Sequence, residues 1–271
     1  MNRRKKTLLI FALSLLFLAA VTLSGMFFHD AARRTDFSIK NLRPCGRYLF
    51  GTDWLGRDML ARTLTGLSMS IRIGLCTAGI SACIALVLGI MSAVLGKRVD
   101  AVISFLIDTI MGIPHILLLI LVSFAFGKGF KGVVLGVALT HWPSLARVIR
   151  SEVMQLKESE YIQAAARLGQ GKLKIAAKHM FPHLFPQFAV GLLLMFPHAV
   201  LHEASITFLG FGLTSEQPAI GVILSESMRY LITGKWWLAV LPGAMLVLTV
   251  ILFDVAGNTL RRLLDPSSVQ E

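Results

Sequence analysis

Six separated apolar runs, each near the length a helix needs to cross a bilayer, leave this chain few folds to choose from. A hydrocarbon core about 30 Å thick takes about 20 residues of helix. The runs span Thr7 to Phe28, Ser70 to Leu95, Ile103 to Phe126, Gly132 to Ile149, Leu184 to Thr207 and Trp237 to Leu260. Hydrophobic residues fill 55% of the 271 positions and charged residues 15%, too little polar surface to cover a soluble domain. Lipid offers the backbone no hydrogen-bond partners, so spans of this length must be helical. The expected fold is an all-α integral membrane protein with six transmembrane helices.

Arg3, Arg4, Lys5 and Lys6 before the first run also fit a secretory signal. That run extends for about 22 residues against about 7 to 15 for a signal peptide's apolar region, so an uncleaved helix is expected. Basic residues gather on the cytoplasmic side of a membrane. With the N-terminus inside, the inner segments hold that first group, Lys97, Arg98, Arg147, Arg150, Lys157, Arg167, Lys172, Lys174, Lys178, Arg261 and Arg262. Arg33, Arg34, Lys40, Arg43, Arg47, Arg57 and Arg62 run against the rule in the first outer loop. Both termini are nonetheless expected in the cytoplasm. Charge that flanks spans is explained by membrane lipid, so no nucleic-acid partner is expected.

The three cysteines form no paired framework and no C-x-x-C; Cys76 and Cys83 share a helix face, where a packing role is expected. No repeat or linker divides the chain. One transmembrane domain over 1–271 is expected: a core over 70–260, a polar loop at 150–183, and a first span with an outer loop over 1–66.

That polar loop is rich in alanine and basic residues. Ser159 is placed to cap a helix over Tyr161 to Leu168, Gly169 and Gly171 allow a turn, and Lys172 to Met180 form a second helix that Pro182 closes. Ala164, Ala165 and Ala166 have little bulk, so a partner can approach the backbone, with Arg167 and the lysines supplying charge. An amphipathic helix on anionic lipid would carry Trp, Phe or Leu instead.

Ala164-Ala165-x-x-x-Gly169, followed by His179-Met180-Phe181-Pro182, resembles the EAA loop of binding-protein-dependent ABC importer permeases. In that family the loop inserts a coupling helix into a cleft of the ATPase subunit. Gln163 stands where the general pattern has glutamate, and Glu160-Tyr161 lies three residues earlier, as in the peptide and nickel branch. Glu160, Gln163, Ala164, Ala165, Arg167, Gly169 and Pro182 are the coupling residues this resemblance implies.

Three more segments resemble that branch. Gly51-Thr-Asp53-Trp-Leu-Gly56-Arg57-Asp58, with Arg62 beyond, is similar to its G-T-D-x-L-G-R-D signature. Asp53 can cap a short helix and pair with Arg57 at i,i+4, and a structural elbow is favoured over substrate contact. Ser205-Ile-Thr-Phe-Leu-Gly-Phe-Gly-Leu213 is similar to a segment that closes the fifth span. The ending from Asp254 through Asn258 to Asp265-Pro266 is similar to the branch's last span, with the acid and amide in swapped order. The resemblance implies the type I ABC importer permease architecture.

Ionisable residues inside spans are functional candidates, because hydrocarbon tolerates them only where they face protein or water. Asp108, His115, His141, His198, His202, Glu203 and Asp254 qualify. His198 and His202 share a face at i,i+4 with Glu203 beside them, and these three are the pathway candidates. The H-E-x-x-H pattern is missing, so pore lining or interhelical hydrogen bonding is favoured and no metal site is assigned. His115 reads as isolated, and Pro114, Pro143 and Pro197 predict kinks.

No G-x-x-x-x-G-K-[ST] loop occurs, so the chain is not expected to be an enzyme or to hold a cofactor; ATP and magnesium would sit on partner subunits. The resemblance implies a permease subunit in a prokaryotic cytoplasmic membrane. Its expected partners are a second homologous permease, two ATPase subunits and an extracytoplasmic substrate-binding protein. The implied cargo is peptide or nickel, free or chelated. An ATP-independent secondary transporter or channel is the alternative, and an integral membrane enzyme a further one. A carrier would show inverted repeats, which are not evident, and no nucleophile and base converge for an enzyme.

Overall fold

Helix α1 (Arg3–Phe27) runs into a short α2 (His29–Arg33), and an irregular loop then leads to α3 (Met59–Val94). This is a computed structural model that describes residues 3–264. The order continues with α4 (Lys97–Gly112), α5 (His115–Ala125), α6 (Phe130–Lys157), α7 (Glu160–Arg167), α8 (Lys172–Ile175), α9 (Phe181–Phe208), α10 (Ile220–Leu231) and α11 (Trp237–Leu264). Among the described residues, five helices are long and apolar enough to cross a membrane: α1, α3, α6, the continuous Lys172–Phe208 helix and α11. The α4–α5 pair makes a sixth crossing if counted as one span. Asp265 and Pro266 of the ending motif lie outside the described residues.

Helix α3 is the centre, lying against α1, α6 and α9. It begins earlier than the apolar run that starts at Ser70, because Asp58 accepts the Leu60 and Ala61 N–H groups at 2.8 and 3.3 Å and so caps the first turn. The polar residues of those first turns, Arg62, Thr63, Thr65 and Ser68, are buried against protein rather than set in lipid. One face of α3 carries Gly66, Ser70, Gly74, Ala78 and Ala82 at i,i+4 spacing, all buried. A Cβ on Gly66 would lie 2.7 Å from Ile223 Cδ1, and one on Gly74 2.6 Å from Val200 Cγ2. On Gly89 it would lie 2.9 Å from the Ala146 carbonyl oxygen. Close backbone approach of this kind drives helix association in lipid, where burying apolar surface gains little.

Hydroxyls stitch the same seam. Thr65 and Ser68 donate to the carbonyls of Gly25 and Thr22 on α1 at 3.2 and 2.7 Å, and Ser81 donates to Ala138 of α6 at 2.9 Å. Ser70 accepts the Ile220 N–H at the start of α10, 3.3 Å away. Cys76 and Cys83 depart from expectation: they point outward, because the buried face already belongs to Gly, Ser and Ala.

The third apolar run is broken rather than straight. α4 and α5 meet at 103°. Pro114 lacks an N–H and forces Ile113 out of the helical region, to φ −92° and ψ 136°. Pro143 and Pro197 stay inside continuous helices. At the other end of α4, Arg150 holds Asp100 through two contacts of 2.6 and 2.7 Å, and Ser92 donates to the same carboxylate at 2.5 Å. Lys157 donates to the Ala93 carbonyl at 2.9 Å, so the end of α3, the start of α4 and the end of α6 are pinned together.

Pro182 does not close the helix after the polar loop. The chain widens into a π-helical stretch at Ala176–Met180, with Phe181 N–H donating to the Ala176 carbonyl, and continues into α9 with Pro182 in its first turn. The wider turn makes room where the proline ring would otherwise meet the preceding carbonyl.

Replacing Gly74 by leucine is expected to overfill the α3–α9 contact and cost about 1–3 kcal/mol. Gly79→Leu, on the same helix with open space at its Cβ position, is expected to be near neutral. Denaturant titration of both variants in detergent micelles checks the difference.

Candidate functional site

In the loop between α2 and α3, backbone turns gather the charges. Gly51 and Gly56 adopt φ of 72° and 73°. A Cβ on Gly56 would strike the Asp36 carbonyl oxygen, which alone excludes larger residues. Asp36 accepts from the Ser38 hydroxyl and N–H at 2.6 and 3.0 Å, and these bonds hold its carboxyl below the usual carboxylate range.

Asp53 is fully buried and accepts four bonds: the Leu55 and Arg57 N–H groups at 2.8 and 2.9 Å, Arg57 Nε at 2.6 Å and Arg62 Nη1 at 2.6 Å. Arg62 also donates to Glu226 of α10 at 2.9 Å. Both guanidinium groups sit over Trp54, at 5.5 and 5.6 Å, and Trp54 stacks on Tyr230 of α10 at 4.7 Å. Two cations and two anions thus balance inside the elbow, which locks the loop to α3 and α10. The expected Asp53–Arg57 pair forms, whereas the helix cap is Asp58 rather than Asp53.

Ser205–Leu213 docks by its backbone. Gly210 turns at φ 83°, and the Gly212 carbonyl accepts the Gly129 N–H at 3.1 Å. The Phe211 carbonyl accepts from Ser123 of α5 at 3.3 Å. On α11, Asn258 donates to Asp254 at 3.0 Å on an exposed face, so the swapped acid and amide do meet.

The break at Pro114 swings His115 against α6 and α9. The His115 ring lies 4.3 Å from His202 and 5.3 Å from His141, and those two are 5.1 Å apart. They border a cavity of about 530 Å³ whose lining also includes Ile113, Pro114 and Ser144. His198 stands further off, 6.0 Å from His141. Glu203 faces the other way, fully buried, with one oxygen accepting from Thr207 at 3.0 Å and the other without a hydrogen-bond partner. Of the three pathway candidates only His202 lines the cavity, and His115 is not isolated. Proline neighbours were the available signal: Pro114 precedes His115, Pro197 precedes His198, and Pro143 follows His141 closely.

On the opposite end, α7 and α8 form the tip of the polar loop. Gly169, at φ 79°, ends α7 in a Schellman turn: its N–H donates to Ala166 at 3.0 Å and the Gln170 N–H to Ala165 at 3.2 Å. Gly171 has ordinary extended angles. Ile162, Ala165 and Ile175 are buried within the tip, while Ala164, Ala166 and Arg167 are exposed. Ala165 is therefore internal rather than presented to a partner. Leu168 and Leu173 are 82% and 73% exposed. Gln163 is exposed and donates to the Glu158 carbonyl at 3.2 Å, which ties α7 to the end of α6, and Glu160 and Pro182 are exposed. Ser159 does not cap α7 with its side chain; its hydroxyl donates backwards to Leu156.

Long apolar helices joined along a small-residue seam, with a loop whose tip exposes Leu168 and Leu173, make this a multi-pass membrane protein. Residues 85–269 match the family described as binding-protein-dependent transport system inner membrane component, and the chain belongs to that family. It is thus a non-catalytic inner-membrane subunit of an ABC importer, a class that works with ATPase and binding-protein partners. It is 31% identical to the dipeptide transport system permease protein DppC of Bacillus subtilis over 93% of this chain and 79% of that one. It is 30% identical to the oligopeptide transport system permease protein OppC of Haemophilus influenzae over 96% and 83%. Among solved structures, an inward-facing MetNI methionine ABC transporter matches with a TM-score of 0.63 and 17% identity, covering 76% of this chain and 98% of that one.

Asp53→Ala is expected to strand Arg62 and Arg57 in the elbow and to cost about 3–5 kcal/mol. Asp254→Ala, on an exposed face, is expected to stay within about 0.5 kcal/mol. Thermal unfolding of the two variants side by side checks the contrast.

Proposed function

We propose that this chain is the permease subunit of an ATP-driven importer for peptides or nickel, free or chelated, that pairs with a second, homologous permease. Two ATPase subunits dock on the polar loop, an extracytoplasmic binding protein delivers cargo, and both termini lie in the cytoplasm. Residues 1–271 act as one transmembrane domain. The carrying observation is the tip itself: Leu168 and Leu173 stand exposed on either side of the Gly169 turn. Two exposed leucines on a short, otherwise polar loop suit insertion into a cleft of another protein.

In this reading Glu160, Gln163, Ala164, Arg167 and Pro182 lie on the outside of the docking element, and Ala165 and Gly169 set its shape. Closure of the ATPases pushes α7, and the Gln163–Glu158 bond with the Lys157 and Arg150 clamps passes that displacement to α6, α3 and α4. Gly51, Asp53, Gly56, Arg57 and Asp58 hold the outer loop as a rigid elbow. Similarity to dipeptide and oligopeptide transport permeases supports peptide cargo, and the imidazoles along the cavity are the support for nickel.

Gly169→Val forces a β-branched residue into the left-handed region at a cost of about 1–3 kcal/mol. In the reconstituted complex, binding-protein-stimulated ATP hydrolysis and uptake are expected to fall by about tenfold for each 1.4 kcal/mol lost from the docked state. Leu168→Glu is expected to weaken ATPase association in a pull-down from membranes. Uptake that survives both changes, or that proceeds without the ATPase subunits, overturns the reading in favour of an ATP-independent carrier.

A further inference from the structure

Three helices that are distant in sequence deliver His115, His141 and His202 to one cavity, with one nitrogen from each ring lying within 4.8 Å of the others. Burial and partners make this more than a chance gathering. All three residues are half-buried, and His115 Nε2 is buried with no hydrogen-bond partner. An unmatched imidazole nitrogen inside a membrane protein is costly unless something in the cavity meets it. The described lining contains no Lys, Arg, Asp or Glu, and its remaining members are apolar, Gly, Ser and Thr.

We propose that these three imidazoles form a binding site for a divalent late first-row transition metal, with coordination positions left open toward the cavity. Neutral imidazole suits nickel, copper and zinc, whereas magnesium and calcium demand oxygen ligands. Metal–nitrogen bonds of about 2.0–2.1 Å place tetrahedral ligand atoms about 3.4 Å apart. The observed nitrogens, all within 4.8 Å of one another, lie up to about an ångström and a half beyond that spacing. His115 sits at the first turn of α5, directly after the break between α4 and α5.

The lack of an acidic ligand has a chemical consequence. Three neutral donors leave the metal's charge uncompensated in an apolar setting, so the open positions favour an anionic ligand, such as a carboxylate chelator carried with the ion. It also keeps the site weaker than a carboxylate-bearing one, as transient occupancy requires. Occupancy in transit rests on the importer reading above; binding of the metal does not.

The test uses the assembled complex, free of any polyhistidine tag, in lipid nanodiscs. Co²⁺ titration followed by ligand-field absorption, and Ni²⁺ by equilibrium dialysis with and without free histidine as chelator, are expected to show one ion per copy of this chain. The His115→Gln, His141→Gln and His202→Gln complexes are each expected to bind at least about tenfold more weakly, since even outer-sphere changes cost that much. His29→Gln, on α2 and outside the cavity lining, is expected to bind as the unaltered complex does. X-ray absorption at the cobalt edge of the unaltered complex reads imidazole ligation directly, so a variant that fails to assemble leaves the proposal testable. No bound metal, no imidazole scattering, or binding insensitive to all three changes overturns it. A complex that takes up cargo with ATP yet binds no metal refutes this site and leaves the importer reading standing; metal bound by a complex incapable of ATP-driven uptake does the reverse.

Discussion

Backbone-to-backbone contact along α3 is the constraint on which the other helices depend. Inside a bilayer there is little hydrophobic gain in pressing one helix on another, so association rests on dispersion contacts and interhelical hydrogen bonds. Gly66, Gly74 and Gly89 leave room for α10, α9 and α6 in turn, and the hydroxyls of Thr65, Ser68 and Ser81 bond carbonyls of α1 and α6. With that seam in place, both ends of α3 can be held by charge. Asp53, Arg57, Arg62 and Glu226 form a balanced cluster at one end, and Asp100, Arg150 and Lys157 tie the other.

The two ends differ in build. In the cluster around Asp53, Asp53 and Arg62 are buried, Arg57 and Glu226 half-buried, and the charges are shared among several partners, with the stacked rings of Trp54 and Tyr230 alongside. The ties at the Asp100 end are partly exposed, and the tip beyond them is built on one left-handed glycine and a π-helical stretch. Between the ends, Pro114 breaks the third crossing and opens the cavity against which the histidines collect.

Much of this was legible in the chain. Apolar runs located the crossings because the bilayer imposes a length, and the alanine-rich loop with its paired glycines marked the tip because a left-handed turn there calls for glycine. The charged motif around Asp53 was legible as an elbow because Asp53 and Arg57 are close in sequence. Distant pairings were not. Glu226 joins Arg62, and His115 joins His141 and His202, across separations that no local period encodes. Likewise Ala165 belongs to the inside of the tip because of where α8 lies, and Cys76 and Cys83 face outward because the buried face of α3 was already taken.

The sequence by itself determined what must be helical, where glycine and proline interrupt the backbone, and which family the chain joins, since these follow from local sterics and from runs of like residues. Only the tertiary structure decided which helices meet and which polar groups face one another. In lipid those choices turn on the fit of small surfaces and on single hydrogen bonds between segments far apart in the chain, and neither leaves a periodic mark on it.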